Sequence, residues 1–360
     1  MCVLYRYVPI LKAGQAELSA IAVTSSRALS AMRPVFEIIN FPPSMLNREQ
    51  IYDPDVPPPA IEKHIVKQLT WIANAMHRQG LVFIDLHQLS RDILWRYPLL
   101  TRRVFINLYL NGIQAIPVVH ADTPAVVLAE FKEIHAIIDC GFMIRLNRLD
   151  MSRVAEIRTW LNCPAEKIDI LLDYGSILDD NMDALVASAA GFINTCLPNV
   201  FNWRSLTMAA GAFPLSLRKY LPAWSAGLAR LDSRFWFRLI QCGLKRAPWF
   251  ADYGILHPDS PALRRKNSST EVLSYTTSDQ WRLLWSDQND RSDLRNCCKI
   301  LCNSAQYDGL DFSYADRQIL LFASDKLATL DAADRKIIGF NRHFEKVCSM
   351  LPNLVFPGMQ

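Results

Sequence analysis

The stretch Cys140-Gly141-Phe142-Met143-Ile144-Arg145-Leu146-Asn147 shows the pattern on which the fold of this chain depends. A short apolar run ends in charged and polar residues, and a segment with the composition of an amphipathic helix follows it. The same order of apolar run, polar end and helix recurs along residues 1–260. Such an alternation predicts parallel strands that are connected by helices.

Eight strands of this kind can be placed along the chain. They are predicted at 7–12, 35–40, 81–87, 115–120, 140–147, 168–174, 205–210 and 249–254. One βα unit takes about 30 residues, and eight units fill the roughly 250 residues of a (β/α)8 barrel. We therefore predict a TIM-like (β/α)8 barrel over residues 1–260, with residues 261–360 as a C-terminal mixed α+β extension packed on it. An open doubly wound sheet is the alternative, and it is less favoured because no GxGxxG turn follows the first strand.

Helices and loops are predicted between and after these strands. Residues 14–32 are expected to form a single helix, and the Pro-rich segment 41–59 is expected to be a surface loop. In the extension we predict a hairpin of 271–277 with 280–285, and helices at 294–303, 314–323 and 341–350. Asp311 or Ser313 is suited to cap the second of these helices.

Composition limits the class of protein. A hydrophobic content of 51% and a charged content of 21% are typical of a globular chain with a substantial core. The net charge of +4 is smaller than that of most dedicated nucleic-acid binders. Nine cysteines without CxxC spacing predict neither a disulfide framework nor a zinc site. No apolar run resembles a signal peptide or a membrane span, so a soluble, cytoplasmic protein is expected.

Polar residues follow the predicted strands, and in a parallel barrel the carboxyl ends of all strands lie on one face. Asp173 and Asp252 stand out because each precedes a Tyr-Gly pair. The predicted catalytic residues are Asp173, Asp252, Lys12, Arg145, Glu37 and Asp85, and Tyr253, His120 and Tyr174 are predicted to bind substrate.

These residue types allow several kinds of chemistry. Two carboxylates can act as acid and base. Carboxylates with histidine can bind a divalent cation such as Mg²⁺, although the sequence identifies no ligand set. Lys12 and Arg145 can hold a phosphate or a carboxylate. Strand-end acids also commonly cap helices or pair with arginine, and no GxxxxGK[ST], HExxH or GxSxG motif supports a particular enzyme class.

Four stretches, in this order, resemble the bacteriophage and bacterial Beta protein family. They are YVPILK at 7–12 with Glu17 after it, PVFEI at 34–38, ADYGILHP at 251–258 and YDGLDFSYAD at 307–316. Members of that family tend to end with a Trp-Arg pair and a His-His step. The corresponding residues here are Asp334-Arg335 and Asn341-Arg342-His343, so the tryptophan and the first histidine are absent.

The resemblance implies a role in phage–host conflict, as defence or counter-defence, through binding of a protein partner or nucleic acid. A different hypothesis follows from the strand-end residues alone. It is a metal-assisted hydrolase of a phosphate-bearing small molecule or nucleotide, with Asp85, Asp173 and Asp252 as ion ligands or base and with Lys12 and Arg145 on the phosphate. The sequence leaves both hypotheses open.

Overall fold

Eight parallel strands form the central sheet of this computed structural model, which describes residues 6–39, 57, 59–89, 93–217, 220, 226–260, 271–286 and 291–351. The strands are paired in the order of the chain. They are β1 (Ile10–Lys12), β2 (Val35–Glu37), β3 (Leu81–Asp85), β4 (Gln114–Val119), β5 (Phe142–Asn147), β6 (Ile168–Ser176), β7 (Ser205–Gly211) and, after a short strand β8 (Ala226–Ala229) of a second sheet, β9 (Trp249–Ala251). All eight lie within or close to the predicted positions.

The first and last strands of this sheet approach each other. The backbone N–H of Val8 donates to the carbonyl of Phe250 at 2.8 Å, and that of Ile10 donates to the carbonyl of Asp252 at 2.8 Å. The sheet is therefore a nearly closed, barrel-like structure, and the open doubly wound alternative does not describe it.

Alternate residues of the strands point into the barrel, because side chains along a strand alternate between its two faces. An apolar cluster fills the interior. It contains Val8, Ile10, Val35, Phe83, Ile116, Val118, Met143, Leu171, Ala209, Ala251 and Tyr253. Two residues further along, at the carboxyl ends, the inward positions are Lys12, Glu37, Asp85, His120, Arg145 and Asp173. A charged layer therefore covers an apolar interior.

Helices surround the sheet and bury their apolar faces on it. They are α1 (Gln15–Ala22), α2 (Ser26–Ala31), α3 (Pro59–Ala75), α4 (His87–Leu89), α5 (Pro98–Leu110), α6 (Ala125–Ile138), α7 (Val154–Leu161), α8 (Met182–Gly191) and α9 (Leu231–Ile240). None of the helices in the described part of the chain is both long and apolar enough to cross a membrane. Most of the Pro-rich segment predicted as a loop, namely residues 41–56 and 58, lies outside the described residues.

The single helix predicted at 14–32 is wrong, because two helices occupy this segment. The Ser25 side chain accepts a hydrogen bond from the N–H of Ala28 and so caps α2. Ser25 also donates through its backbone N–H and its hydroxyl to Glu345, at 2.6 and 2.8 Å. A distant carboxylate thus stabilises the break, and local helix propensity does not report it.

The extension consists of a hairpin and three helices. Strands β10 (Glu271–Thr276) and β11 (Gln280–Ser286) confirm the predicted hairpin, and β8 pairs with β11 on its other edge. The helices are α10 (Arg291–Cys302), α11 (Tyr314–Ala323) and α12 (Ala332–Met350). Ser313 caps α11, as predicted. Helix α12 begins at Ala332 rather than at residue 341, because Asp331 and Asp334 form a capping box there.

Helix α12 lies against α1, α2 and β10, and it covers the place where β9 meets the start of the barrel. The rings of His343 and Phe344 approach Tyr7, with centroids 6.2 and 6.4 Å away. The C-terminal helix therefore forms part of the barrel wall at this seam.

Gly254, just after β9, provides a test of this packing. Its φ is +63°, and a Cβ there would lie 2.8 Å from Cε1 of Phe340 on α12. Gly243 has a φ of +64° but no atom within 4 Å of the corresponding position, so it is a matched control. Alanine in this backbone conformation costs about 1–2 kcal/mol at either position.

We expect Gly254→Ala to reduce the free energy of unfolding by about 1–3 kcal/mol more than Gly243→Ala, because overpacking adds to the backbone strain. Urea unfolding of the two variants and the wild type measures this difference. Equal reductions in the free energy of unfolding for the two variants would show that α12 is not closely packed against Gly254.

Candidate active site

A polar cavity of about 200 Å³ opens at the carboxyl ends of the strands. The side chains around it come from five strands, β2 to β6, or from the segments that directly follow them. They are Glu37, Asp85, His87, Gln88, His120, Arg145, Asn147 and Asp173. The structure therefore brings five of the sequence-predicted site residues, Glu37, Asp85, His120, Arg145 and Asp173, around one cavity.

Arg145 is the centre of this layer. Its Nη1 donates to Oε1 of Glu37 and to Oδ2 of Asp85, both at 2.8 Å, and its Nε donates to Oδ2 of Asp173 at 2.8 Å. Its Nη2 lies 2.7 Å from the same Asp173 oxygen and 3.2 Å from the hydroxyl of Tyr253. Burial would lower the pKa of Arg145, but Asp173 and the other acidic groups around it hold the pKa well above its ordinary value.

Asp85 and His120 form a hydrogen-bonded pair in the cavity. Nε2 of His120 lies 2.9 Å from Oδ2 of Asp85, and the N–H of His87 donates to the other oxygen at 2.9 Å. Burial would raise the pKa of the Asp85 carboxyl, but the interactions with His120 and with the Arg145 guanidinium hold the pKa below its ordinary value. Asp85 is therefore ionised at neutral pH, and its Oδ2 accepts a hydrogen bond from Nε2 of His120.

Two further predicted residues belong to the same layer. Lys12 donates to Oε2 of Glu37. Tyr253 donates its hydroxyl to Asp173 at 2.6 Å. Both cations of the site, Lys12 and Arg145, thus have carboxylate partners, and their binding of a phosphate stays a prediction.

Asp252 points out of the barrel rather than into its mouth. Its Oδ1 accepts from the hydroxyl of Tyr7 at 2.6 Å, and its Oδ2 lies 2.8 Å from Nε2 of His343 and 3.3 Å from Nη2 of Arg230. Burial would raise the pKa of Asp252, but His343 holds the pKa below its ordinary value. The two Asp-Tyr-Gly segments therefore place their acids on opposite faces of the sheet, Asp173 inside the barrel and Asp252 beneath α12.

Tyr174 also lies outside the mouth, because it follows the inward-facing Asp173 in β6. Its ring makes an edge-to-face contact with Phe235, with centroids 5.2 Å apart. The Cζ atom of Arg148 lies 5.6 Å from the centroid of the same ring. The structure does not bring it to the cavity.

The acidic segment at 307–316 has a structural partner in α12. The Arg342 guanidinium is fully buried, and it donates to Oδ2 of Asp316 at 2.9 Å and to Asp308. Asp316 also accepts from the hydroxyl of Tyr275 at 2.8 Å. Residues that carry the family resemblance therefore make structural contacts. Arg342 on α12 binds the acidic segment 307–316, and His343 on the same helix binds Asp252 after the last barrel strand.

Sequence reasoning missed Gln88 and Asn147 at the cavity and His343 as the partner of Asp252. Asn147 follows Arg145 by two positions in β5, so strand alternation predicts that the two face the same side. Gln88 lies in the turn α4, for which the sequence has no periodic signal. Only the family resemblance drew attention to His343.

Replacing Arg145 tests whether its charge keeps this layer together. We expect Arg145→Met to reduce the free energy of unfolding by about 3–5 kcal/mol at pH 7, because three nearly buried carboxylates lose their common partner. Without the guanidinium the carboxylates repel one another, so the folded variant binds protons more readily than the unfolded chain. The deficit relative to wild type should therefore shrink between pH 7 and pH 5.

The cavity carboxylates of the wild type should contribute no such gain, and other buried acids act alike in both proteins, so they cancel in the deficit. The depressed pKa of Asp85 gives stability that is fully present above the unfolded value of about 3.9 and is lost only as the pH falls below it. Urea unfolding at both pH values measures the effect. Arg153→Met removes an exposed arginine paired with Glu156 and should stay close to wild type at either pH. A constant Arg145→Met deficit would contradict the proposed role of the charge.

Comparison with known proteins supports the family resemblance that the four sequence stretches indicate. Among curated proteins there is no match to this chain. The family model described as Beta protein matches residues 7–349, which is nearly the whole chain. It includes both the strands that carry the cavity residues and the helix α12 that covers the seam. This chain belongs to the Beta protein family.

Proposed function

We propose that this chain is an enzyme that transfers a proton to or from a small polar molecule at the mouth of a TIM-like (β/α)8 barrel. The Asp85–His120 pair in the cavity is the observation that carries the proposal. In TIM barrels the carboxyl ends of the strands are the face on which active sites are built.

The pair has the geometry of a general base and its positioning group. Because Asp85 is ionised, Nε2 of His120 donates to Oδ2, and in the neutral form of the imidazole Nδ1 then carries the lone pair that can accept a proton. Asp85 is held in turn by Arg145 and by the N–H of His87. A base that is fixed in tautomer and orientation accelerates proton transfer by about 10²–10⁴-fold.

The other cavity residues support this pair. Arg145 positions Asp85 and links it to Glu37 and Asp173. His87 stacks on His120, with ring centroids 4.2 Å apart. These contacts restrict the imidazole, which would otherwise rotate at the edge of the cavity.

An untargeted activity assay tests the proposal. The protein is incubated with pooled small polar metabolites, and their proton NMR spectra are followed over time. We expect one compound or one chemical class to be consumed by wild type, and His120→Asn to reduce the rate by about 10²–10⁴-fold. His77→Asn is the control, because His77 is exposed and its φ of 52° suits asparagine.

Consumption of the same compound by His120→Asn at the wild-type rate would contradict the role of His120. Turnover that is equally lost in His77→Asn would point to a general effect on the fold. Circular dichroism of each variant checks that it is folded.

A metal-assisted hydrolase of a phosphate-bearing molecule or nucleotide is the alternative proposal. The cavity residues do not fit it well, since the Arg145 guanidinium occupies the point on which Glu37, Asp85 and Asp173 converge. No group of three or more His, Cys, Asp or Glu side chains in the described ranges has the arrangement of a metal site. A rise in melting temperature with Mg²⁺ or Mn²⁺ that is lost in Asp173→Asn would favour this alternative over proton transfer without a metal.

Membership of the Beta protein family keeps open the proposal of a role in phage–host conflict, through a protein partner or nucleic acid. The buried positions of Trp203, Trp236 and Trp281 leave these rings without an exposed face for base stacking. Plating efficiency of phages on bacteria that express wild type or His120→Asn tests this role and shows whether it needs the cavity.

A further inference from the structure

We infer that the ligand of the mouth cavity carries a positively charged nitrogen, an ammonium or amidinium group, which binds Glu37. This inference rests on the proposed function of the same cavity and names the class of its substrate. It depends on the charges, the hydrogen bonds and the shape of the cavity together.

The charge balance of the site favours a cation. Glu37, Asp85 and Asp173 carry three negative charges, and each residue is at most 8% exposed. Lys12 and Arg145 carry two positive charges, so a count of formal charges, with histidine taken as neutral, leaves one negative charge. Low exposure to water reduces the screening of this excess charge, and a cationic ligand would neutralise it.

The hydrogen bonds of the site disfavour an anion. All three nitrogens of the Arg145 guanidinium already contact carboxylates, and Nη2 also lies 3.2 Å from the Tyr253 hydroxyl. Lys12 donates to Glu37. A phosphate would have to displace the bonds of Arg145 or use the remaining N–H groups of Lys12, and in either place it would lie among carboxylates. A cation needs only acceptors.

Glu37 is the cavity carboxylate with the most acceptor capacity to spare. Each of its oxygens accepts one hydrogen bond within the described part of the chain, from Arg145 on Oε1 and from Lys12 on Oε2. A carboxylate has about four lone-pair positions, so one on each oxygen can receive a donor from the ligand. Asp85 and Asp173 each have three or more donors within hydrogen-bond distance.

Cavity size limits the ligand to a small molecule. A space of about 200 Å³ admits a chain of a few carbon atoms with a polar group at each end. Glu37 and His120 both line the cavity, so a ligand anchored through nitrogen at Glu37 would present its neighbouring atoms to the imidazole.

Three probes with one carbon skeleton test the charge preference directly. Putrescine, 1,4-butanediol and succinate share four carbons and carry two ammonium, two hydroxyl and two carboxylate groups, respectively. We expect isothermal titration calorimetry on the wild-type protein to show putrescine binding at least about tenfold tighter than the diol, and no binding of succinate.

A matched pair of variants locates the binding. Glu37→Gln removes the negative charge that would bind the ammonium group, and it should lower the affinity for putrescine by about tenfold or more. Glu166→Gln makes the same change at an exposed residue just before the amino end of β6 and should leave the affinity unchanged. The probe series on wild type decides the question of charge even if Glu37→Gln proves unstable.

Succinate or inorganic phosphate that binds more tightly than putrescine would overturn the inference, as would equal affinities for putrescine and the diol or no putrescine binding at millimolar concentration. These outcomes are separate from a failure of the proposed function. An active enzyme that needs His120 but prefers neutral or anionic compounds refutes only the charge preference. Putrescine binding through Glu37 without any turnover that depends on His120 refutes only the acid–base role.

Discussion

The contact of one guanidinium with three carboxylates is the constraint on which the mouth of this barrel depends. Below the charged layer lies a cluster of apolar side chains, which offers the charges no hydrogen-bond partners from that side. Isolated ions at such a depth cost several kcal/mol each, and only direct pairing offsets this cost. Arg145, in the middle of β5, reaches acids on β2, β3 and β6 and thereby fixes their separations. The orientation of Asp85 toward His120 is a consequence of that arrangement.

A second buried ionic contact joins parts of the chain that are far apart in sequence. Asp252 follows the last barrel strand, whereas His343 lies on the last described helix, and their side chains meet at 2.8 Å. The helix that follows a barrel strand usually covers the seam beside it. Here α12 covers the seam, after the hairpin and two other helices have intervened. The contact between Asp252 and His343 thus joins the extension to the last strand of the barrel.

Most of the sheet and half of the site could be predicted from sequence, and the reasons differ. The strands were found because each is an apolar run with a polar end, a signal that depends only on local burial. The convergence of Glu37, Asp85, Arg145 and Asp173 followed from parallel strands alone. The break in the first helix could not be found, because it depends on Glu345, which lies 320 positions from Ser25. The outward direction of Asp252 needed the register of β9, since a shift of one residue exchanges the two faces of a strand.

The chemistry of the site was harder to predict because a sequence gives the number of charges but not their partners. Lys12 and Arg145 look like an anion clamp when they are considered as free cations at the ends of strands. Once each is hydrogen-bonded to a carboxylate, the same two residues neutralise part of an acidic layer, and Glu37 keeps acceptor positions for a ligand. The ligand charge that we infer is therefore opposite to the one that free cations would favour. In a crowded barrel mouth the inward charges lie within about one side-chain length of each other, so their pairing, which only the three-dimensional arrangement reveals, decides what the cavity can bind.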